Sequence, residues 1–103
     1  MYIVVLMTAK NKSEAEKIAT ALVSEKLIAC ANIVDNVQSV FSWQGKLDAA
    51  GESLVVMKTQ KKLFQKLKIR IKLLHSYDVP EIIALPIVDG DKSYLNWVKE
   101  STS

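Results

Sequence analysis

This sequence has little of what usually announces a specialised chemistry. Its 103 residues include one cysteine, one histidine, two prolines and three glycines. A single cysteine excludes an intrachain disulfide framework and suits a reducing compartment, so a cytoplasmic protein is expected. The opening apolar run YIVVLM is far too short to span a membrane, and it lacks the charged flank and cleavage site of a signal peptide. No membrane partner is expected. The formal net charge is only +3. The lysines gather on helices without interleaved exposed aromatics, which reads as a solvated basic face, so no nucleic-acid partner is expected. There is no GxGxxG, no glycine-rich phosphate loop, no HExxH, no paired cysteines and no Ser/His/Asp order. The chain is therefore expected not to be an enzyme, to have no catalytic residues and to hold no organic cofactor.

What is present is a half-hydrophobic chain patterned as one domain over residues 1–103. Tyr2 to Thr8 is rich in β-branched residues and reads as a buried strand. Ser13 precedes Glu16 by three positions, the spacing of a capping box. The helix it would open places Ala15, Ile18, Ala19, Leu22 and Val23 on one face and closes near Leu27. A strand begins at Ile28 and runs to Val34. Extended chain continues from Val37 to Leu47, with Val37, Phe41, Trp43 and Leu47 on one face. Asp48 to Gly51 carries turn-type ends, and Gly45 reads as a bulge or close approach rather than the turn. Ser53 to Thr59 returns as a strand, completing a long hairpin.

Lys61 to Leu74 reads as a second helix, buried along Phe64, Leu67, Ile71 and Leu74. Pro80 forces Val79 into extended geometry. Ile82 to Val88 is the last strand, and Pro86 marks it as an edge or bulged position. Gly90 and Asp91 open a short C-terminal helix, in which Tyr94 and Trp97 read as packing residues. No repeat, low-complexity stretch or linker interrupts this order. The order βαββαβ with an extra C-terminal helix predicts an α+β, ferredoxin-like fold. The hairpin is too long for so small a domain to cover, which predicts pairing with other subunits.

Two motifs on this topology carry a resemblance. LIACANI, from Leu27 to Ile33, opens the second strand, and HSYDVPEI, from His75 to Ile82, follows the second helix. SVFSWQGK, from Ser39 to Lys46, lies between them, and VMKT covers Val56 to Thr59. In this order and at these lengths the chain resembles the CutA family of divalent-cation tolerance proteins along essentially its whole length. The resemblance implies a PII-like homotrimer in which long hairpins wrap neighbouring subunits. It also implies a role in tolerance of copper and other divalent metals. Cys30 matches the family's ACAN segment. His75, Tyr77, Pro80 and Glu81 match its second motif, Trp43, Gly45 and Lys46 its WxGK element, and Lys58 its KT element. Ser76 departs from the proline common after the histidine, and the further cysteines of some members are absent.

Each candidate residue has two readings. Cys30 offers a soft thiolate to Cu(I), or, between two alanines, serves as a small buried hydrophobe. His75 offers an imidazole to Cu(II) or Zn(II), or completes a helix C-terminus. One cysteine and one histidine cannot make a four-ligand N/S site, so Glu81, Asp78, Asp35 or neighbouring subunits would have to contribute. The expected metal residues are His75, Cys30 and Glu81, with copper(II) or another divalent cation as the ion. Lys58, Tyr77, Asp78 and Trp43 are expected at an inter-subunit cleft, where they line a small-anion pocket or form an interface network. Trp43 and Phe41 fit interface anchors. The expected function is divalent-metal binding in metal tolerance. The alternative is a PII-like sensor or scaffold binding a small anionic metabolite at that cleft.

Overall fold

A computed structural model describes all residues from Met1 to Ser103. The elements are β1 (Tyr2–Ala9), α1 (Lys12–Ser24), β2 (Cys30–Trp43), β3 (Lys46–Gln60), α2 (Phe64–Leu74), β4 (Ile82–Pro86) and α3 (Lys92–Ser101), with a 3-10 turn at Lys61–Leu63 leading into α2. The four strands form one antiparallel sheet in the order β2-β3-β1-β4. This is the expected α+β, βαββαβ arrangement with an added C-terminal helix.

Alternation along the strands sorts the sheet into two faces. Ile3, Val5, Met7 and Ala9 of β1 and Val55 and Met57 of β3 point to one face and join Ala15, Ile18 and Leu22 of α1 and Leu67 and Ile71 of α2 in one buried cluster. Phe64 and Leu74 pack at its margin. The opposite face carries Val4 and Leu6 of β1, Leu54 and Val56 of β3, and Ile83 and Leu85 of β4. Only α3 covers it, and only at one end, where Gln60 donates to Thr102 at 2.8 Å. Ile83 and Leu85 remain about half exposed, at 49% and 48%.

Several details differ from the sequence-based expectation. First, α1 is capped by Asn11, whose Oδ1 accepts from the Glu14 amide at 2.9 Å, and not by Ser13. Asn11 and Glu14 have the same capping-box spacing as Ser13 and Glu16, and the earlier register prevails; asparagine caps at least as well as serine. Secondly, α1 ends at Ser24, where Lys26 takes a left-handed φ of 61°, and Val23 stays exposed. Thirdly, the hairpin turns at Gln44 and Gly45, with φ of 53° and 79°. Two positive φ values in a two-residue loop match the right-handed twist of the strands, and glycine takes that geometry without penalty. Asp48 to Gly51 is strand, paired with Phe41 to Gln38. The turn signal was hidden because glutamine stands where asparagine or aspartate usually does. Fourthly, Leu47 pairs with Ser42 across that turn, so it lies on the face opposite Trp43 and Phe41.

Pro86 sits where its missing N–H is harmless. β4 is an edge strand that pairs only with β1. It ends at Pro86, two residues short of the expected Val88, although the Ile87 amide still reaches the Tyr2 carbonyl at 3.0 Å.

Candidate functional site

The polar residues gather in two places at opposite ends of the sheet. The first is a strap formed by residues 75–77 as the chain leaves α2. His75 caps that helix in extended geometry, with its amide on the Ile71 carbonyl at 2.9 Å. Its ring Nε2 lies 2.7 Å from the Thr8 carbonyl oxygen, and its Nδ1 lies 3.0 Å from the Tyr77 amide. β4 pairs with β1 only as far as Met7, so the imidazole supplies a donor one residue beyond the ladder. The Ser76 amide donates to Glu14 Oε2 at 3.0 Å, and the Lys10 amide donates to Glu14 Oε1 at 3.1 Å. Tyr77 crosses the end of β1, and its hydroxyl donates to Glu52 Oε2 on β3 at 2.7 Å. The His75 and Tyr77 rings lie 4.8 Å apart.

Electrostatics follow from these bonds. Partial burial, reinforced by the Glu52 carboxylate that accepts its hydroxyl, pushes the Tyr77 phenol up to about 12. Partial burial raises the Glu14 carboxyl, but the bonds from Ser76 and Lys10 more than offset it and hold the group below its usual value. The strap is thus a set of matched donors and acceptors tying α1, α2, β1 and β3 together.

The second cluster lies under α3. Cys30 pairs in register with Lys58. The Cys30 thiol shares a hydrogen bond with the Tyr94 hydroxyl at 3.3 Å, and the Lys58 ammonium donates to Asn32 Oδ1. The bond to Cys30, followed by burial, pushes the Tyr94 phenol up to about 12. Tyr94 therefore does more than the packing expected of it. Both Tyr94 and Trp97 also keep much of their surface exposed.

Within one subunit the expected metal residues do not meet. Cys30 lies level with Lys58, whereas His75 holds Thr8, level with Leu54. Four residues of strand separate those levels, roughly 13 Å at about 3.3 Å per residue. Glu81 is exposed just before β4. No three His, Cys, Asp or Glu side chains come together anywhere in the chain. Asp35 is committed to Ser53, which donates to it at 2.8 Å. A four-ligand metal site therefore does not fit one subunit.

The expected cleft residues are also dispersed. Tyr77 belongs to the strap, and Asp78 follows it. Lys58 lies six residues along β3 from Glu52, and Trp43 lies six residues along β2 from Val37, the partner of Glu52. Each is roughly 20 Å from the strap, in opposite directions. A shallow surface groove between α1 and β2, lined by Glu16, Ala19, Thr20, Val23, Ala31 and Ile33, holds none of the candidate residues.

Sequence reasoning missed Glu14, Glu52 and Thr8 as parts of the strap. Glu14 carried a signal, its capping-box spacing from Asn11. Thr8 acts through its backbone, and Glu52 is reached only across β1, so neither leaves a local trace.

Comparison with known proteins bears on this geometry. The family model for the CutA1 divalent ion tolerance protein matches residues 3–101. The divalent-cation tolerance protein CutA of Thermus thermophilus is 48% identical over 99 residues, covering 96% of both chains. The solved structure of that organism's divalent cation tolerance protein superposes with a TM-score of 0.98 over 100% of both chains. The structure of the periplasmic divalent cation tolerance protein CutA from Archaeoglobus fulgidus gives 0.97 at 39% identity, again over 100% of both chains. The chloroplastic CutA protein of Arabidopsis thaliana is 45% identical over 97% of this chain, but the chain spans only 55% of that relative's length. With the family model matched from the first strand to the last helix, and the fold shared throughout, the chain belongs to the CutA1 divalent ion tolerance family.

Proposed function

We propose that this chain is a non-enzymatic, cytosolic homotrimer that serves divalent-metal tolerance by binding copper(II) or another divalent cation at its subunit junctions. The observation that carries the assembly is the uncovered apolar surface of the hairpin and of the second sheet face. Val40, Trp43 and Leu47 are 63%, 53% and 83% exposed. Side chains of this size left in water on an extended hairpin favour burial against another chain. Three copies are the arrangement that the family resemblance implies.

The ligands that remain for a cation are carboxylates. Asp78 and Glu81 are exposed, and neither forms a hydrogen bond or ion pair within the chain. Their oxygens are therefore free to take a divalent ion, completed by groups from a neighbouring subunit or by water. Lys58, by contrast, is bonded to Asn32 and lies far from Tyr77, so the anionic-metabolite reading gains no support within a subunit.

Calorimetry with copper(II), zinc(II) and magnesium(II), run beside sedimentation of the same sample, tests the proposal. A trimer that binds copper(II), and whose affinity falls at least tenfold when Asp78→Asn and Glu81→Gln are combined, supports it. A monomer, or an affinity unchanged in that variant, rules it out.

A further inference from the structure

We infer that His75 is the latch of the strap and not a metal ligand, a conclusion that bears on the same metal reading and limits which residues can carry it. The hydrogen-bonding capacity of the ring is fully taken up. A carbonyl oxygen only accepts, so the Nε2 atom 2.7 Å from the Thr8 carbonyl must carry the proton. A backbone amide only donates, so the Nδ1 atom 3.0 Å from the Tyr77 amide must present its lone pair. These two partners fix one neutral tautomer, and they use both ring nitrogens. A metal ion needs a ring lone pair. The one His75 possesses is spent on Tyr77.

Ligation through Nδ1 would expel the Tyr77 amide and leave it without its acceptor. The loss would spread, because the same residue sends its hydroxyl to Glu52 and its neighbour sends an amide to Glu14. Ligation through Nε2 would instead strip the Thr8 carbonyl of its donor at the end of β1. The neighbouring groups supply no compensation. Glu14, Glu52 and Tyr77 are already paired with one another's elements, and Cys30 sits at the other end of the sheet. His75 therefore acts by holding residues 75–77 across the sheet end. Asp78 and Glu81 follow the strap and face water with no bond to it.

The test uses the full-length protein in its native assembly, with zinc(II) as a diamagnetic probe. Long-range nitrogen–proton correlation spectra of the labelled histidine should show the neutral form protonated at Nε2. Both nitrogen shifts should stay in place as zinc(II) is added. Movement of Nδ1 or Nε2 to the metal-bound range overturns the inference, as does a tautomer protonated at Nδ1. Calorimetry on the same sample keeps this separate from the metal reading. Absence of zinc(II) and copper(II) binding defeats that reading and leaves the tautomer pattern to decide the latch.

Two variants add a second readout. In His75→Ala the Tyr77 amide should exchange with solvent at least tenfold faster relative to the Val5 amide in mid-sheet. In His75→Gln, whose amide both donates and accepts, the acceleration should be smaller. Copper(II) affinity should stay within twofold of the unaltered protein in both. Unchanged Tyr77 exchange in His75→Ala, or a tenfold loss of copper(II) affinity in both variants, overturns the inference.

Discussion

The same two strands, β2 and β3, behave differently along their length. From Cys30 to Val34, and from Leu54 to Gln60, one face sits on the helices and Val55, Met57 and Thr59 are fully buried. From Val37 to Gly51 the ladder continues, yet almost every residue is exposed. Cross-strand pairing runs through both halves, so the ladder does not distinguish them. The difference lies in apolar burial, which supplies most of the stability of a small domain. The inner half is held by its own chain. The outer half is an arm that its own chain leaves unpacked.

The largest expected effect falls on the inner half. Leu67 of α2 is fully buried in the core cluster, so Leu67→Ala should cost about 2–5 kcal/mol of stability. Denaturant unfolding at fixed protein concentration measures this, because the stability of an oligomer depends on concentration. A loss below about 1 kcal/mol would mean that the inner half is not what holds the molecule together.

The next effect falls on the arm. Trp43→Ala should leave the far-ultraviolet circular dichroism of the subunit intact and weaken self-association by about 2 kcal/mol or more, as for a central aromatic anchor. Sedimentation velocity over a dilution series reads this directly. Equal self-association in the variant would mean that the arm tip is a solvated ornament and would remove the contrast between the halves.

The smallest effect sharpens the boundary between them. Tyr77 is bonded to Glu52, and Glu52 pairs with Val37 at the root of the arm. The fold favours the neutral phenol, raised from 10.0 to about 12. The folded state thus holds this proton more tightly than the unfolded chain. Its contribution is complete below pH 10 and is lost as pH rises from 10 through about 12. Tyr77→Phe should lessen that alkaline loss by about 0.5 kcal/mol once solvent screening is allowed for. Part of the loss persists, because Tyr94 titrates in the same window. Unfolding midpoints below pH 10 and near pH 12, compared between the two proteins, check the sign. An identical alkaline loss in both would exclude the Tyr77–Glu52 bond as a tether of the arm's root.

The packed half was legible in the sequence for a physical reason. Burial writes a period into the chain, and Ala15, Ile18 and Leu22, or Leu67 and Ile71, recur at that period. The arm was harder to read because its residues face solvent on both sides within the subunit. No apolar alternation marks where Gln44 and Gly45 reverse the chain, and Asp48 and Gly51 imitate a turn inside a strand. The strap was legible as a place and not as a mechanism. His75 and Tyr77 stood out by residue type, but their partners are a backbone carbonyl, a helix-cap glutamate and a carboxylate two strands away. Such contacts are set by tertiary geometry, which local sequence does not record.

The register shift between Val34 and Val37 has a consequence for descent and engineering. β2 carries one residue more than β3 there, with Asn36 in the left-handed region at φ of 59°. On the face opposite α1 and α2, β2 therefore presents Cys30, Asn32 and Val34 below the bulge, and Val37, Ser39, Phe41 and Trp43 above it. The bulge is a parity switch. Even-numbered residues serve the inner half, and odd-numbered ones serve the arm on that face. Losing a single residue at this point would make the ladder continuous, with Val37 still opposite Glu52, so the arm's aromatic set would keep its face and only the local bend and twist of the bulge would go. A graft of this hairpin onto another relative therefore has to be aligned by pairing partner, Val37 against Glu52, and not by counting residues from the start of the strand, since a strand without the bulge presents the same face at numbers of the other parity.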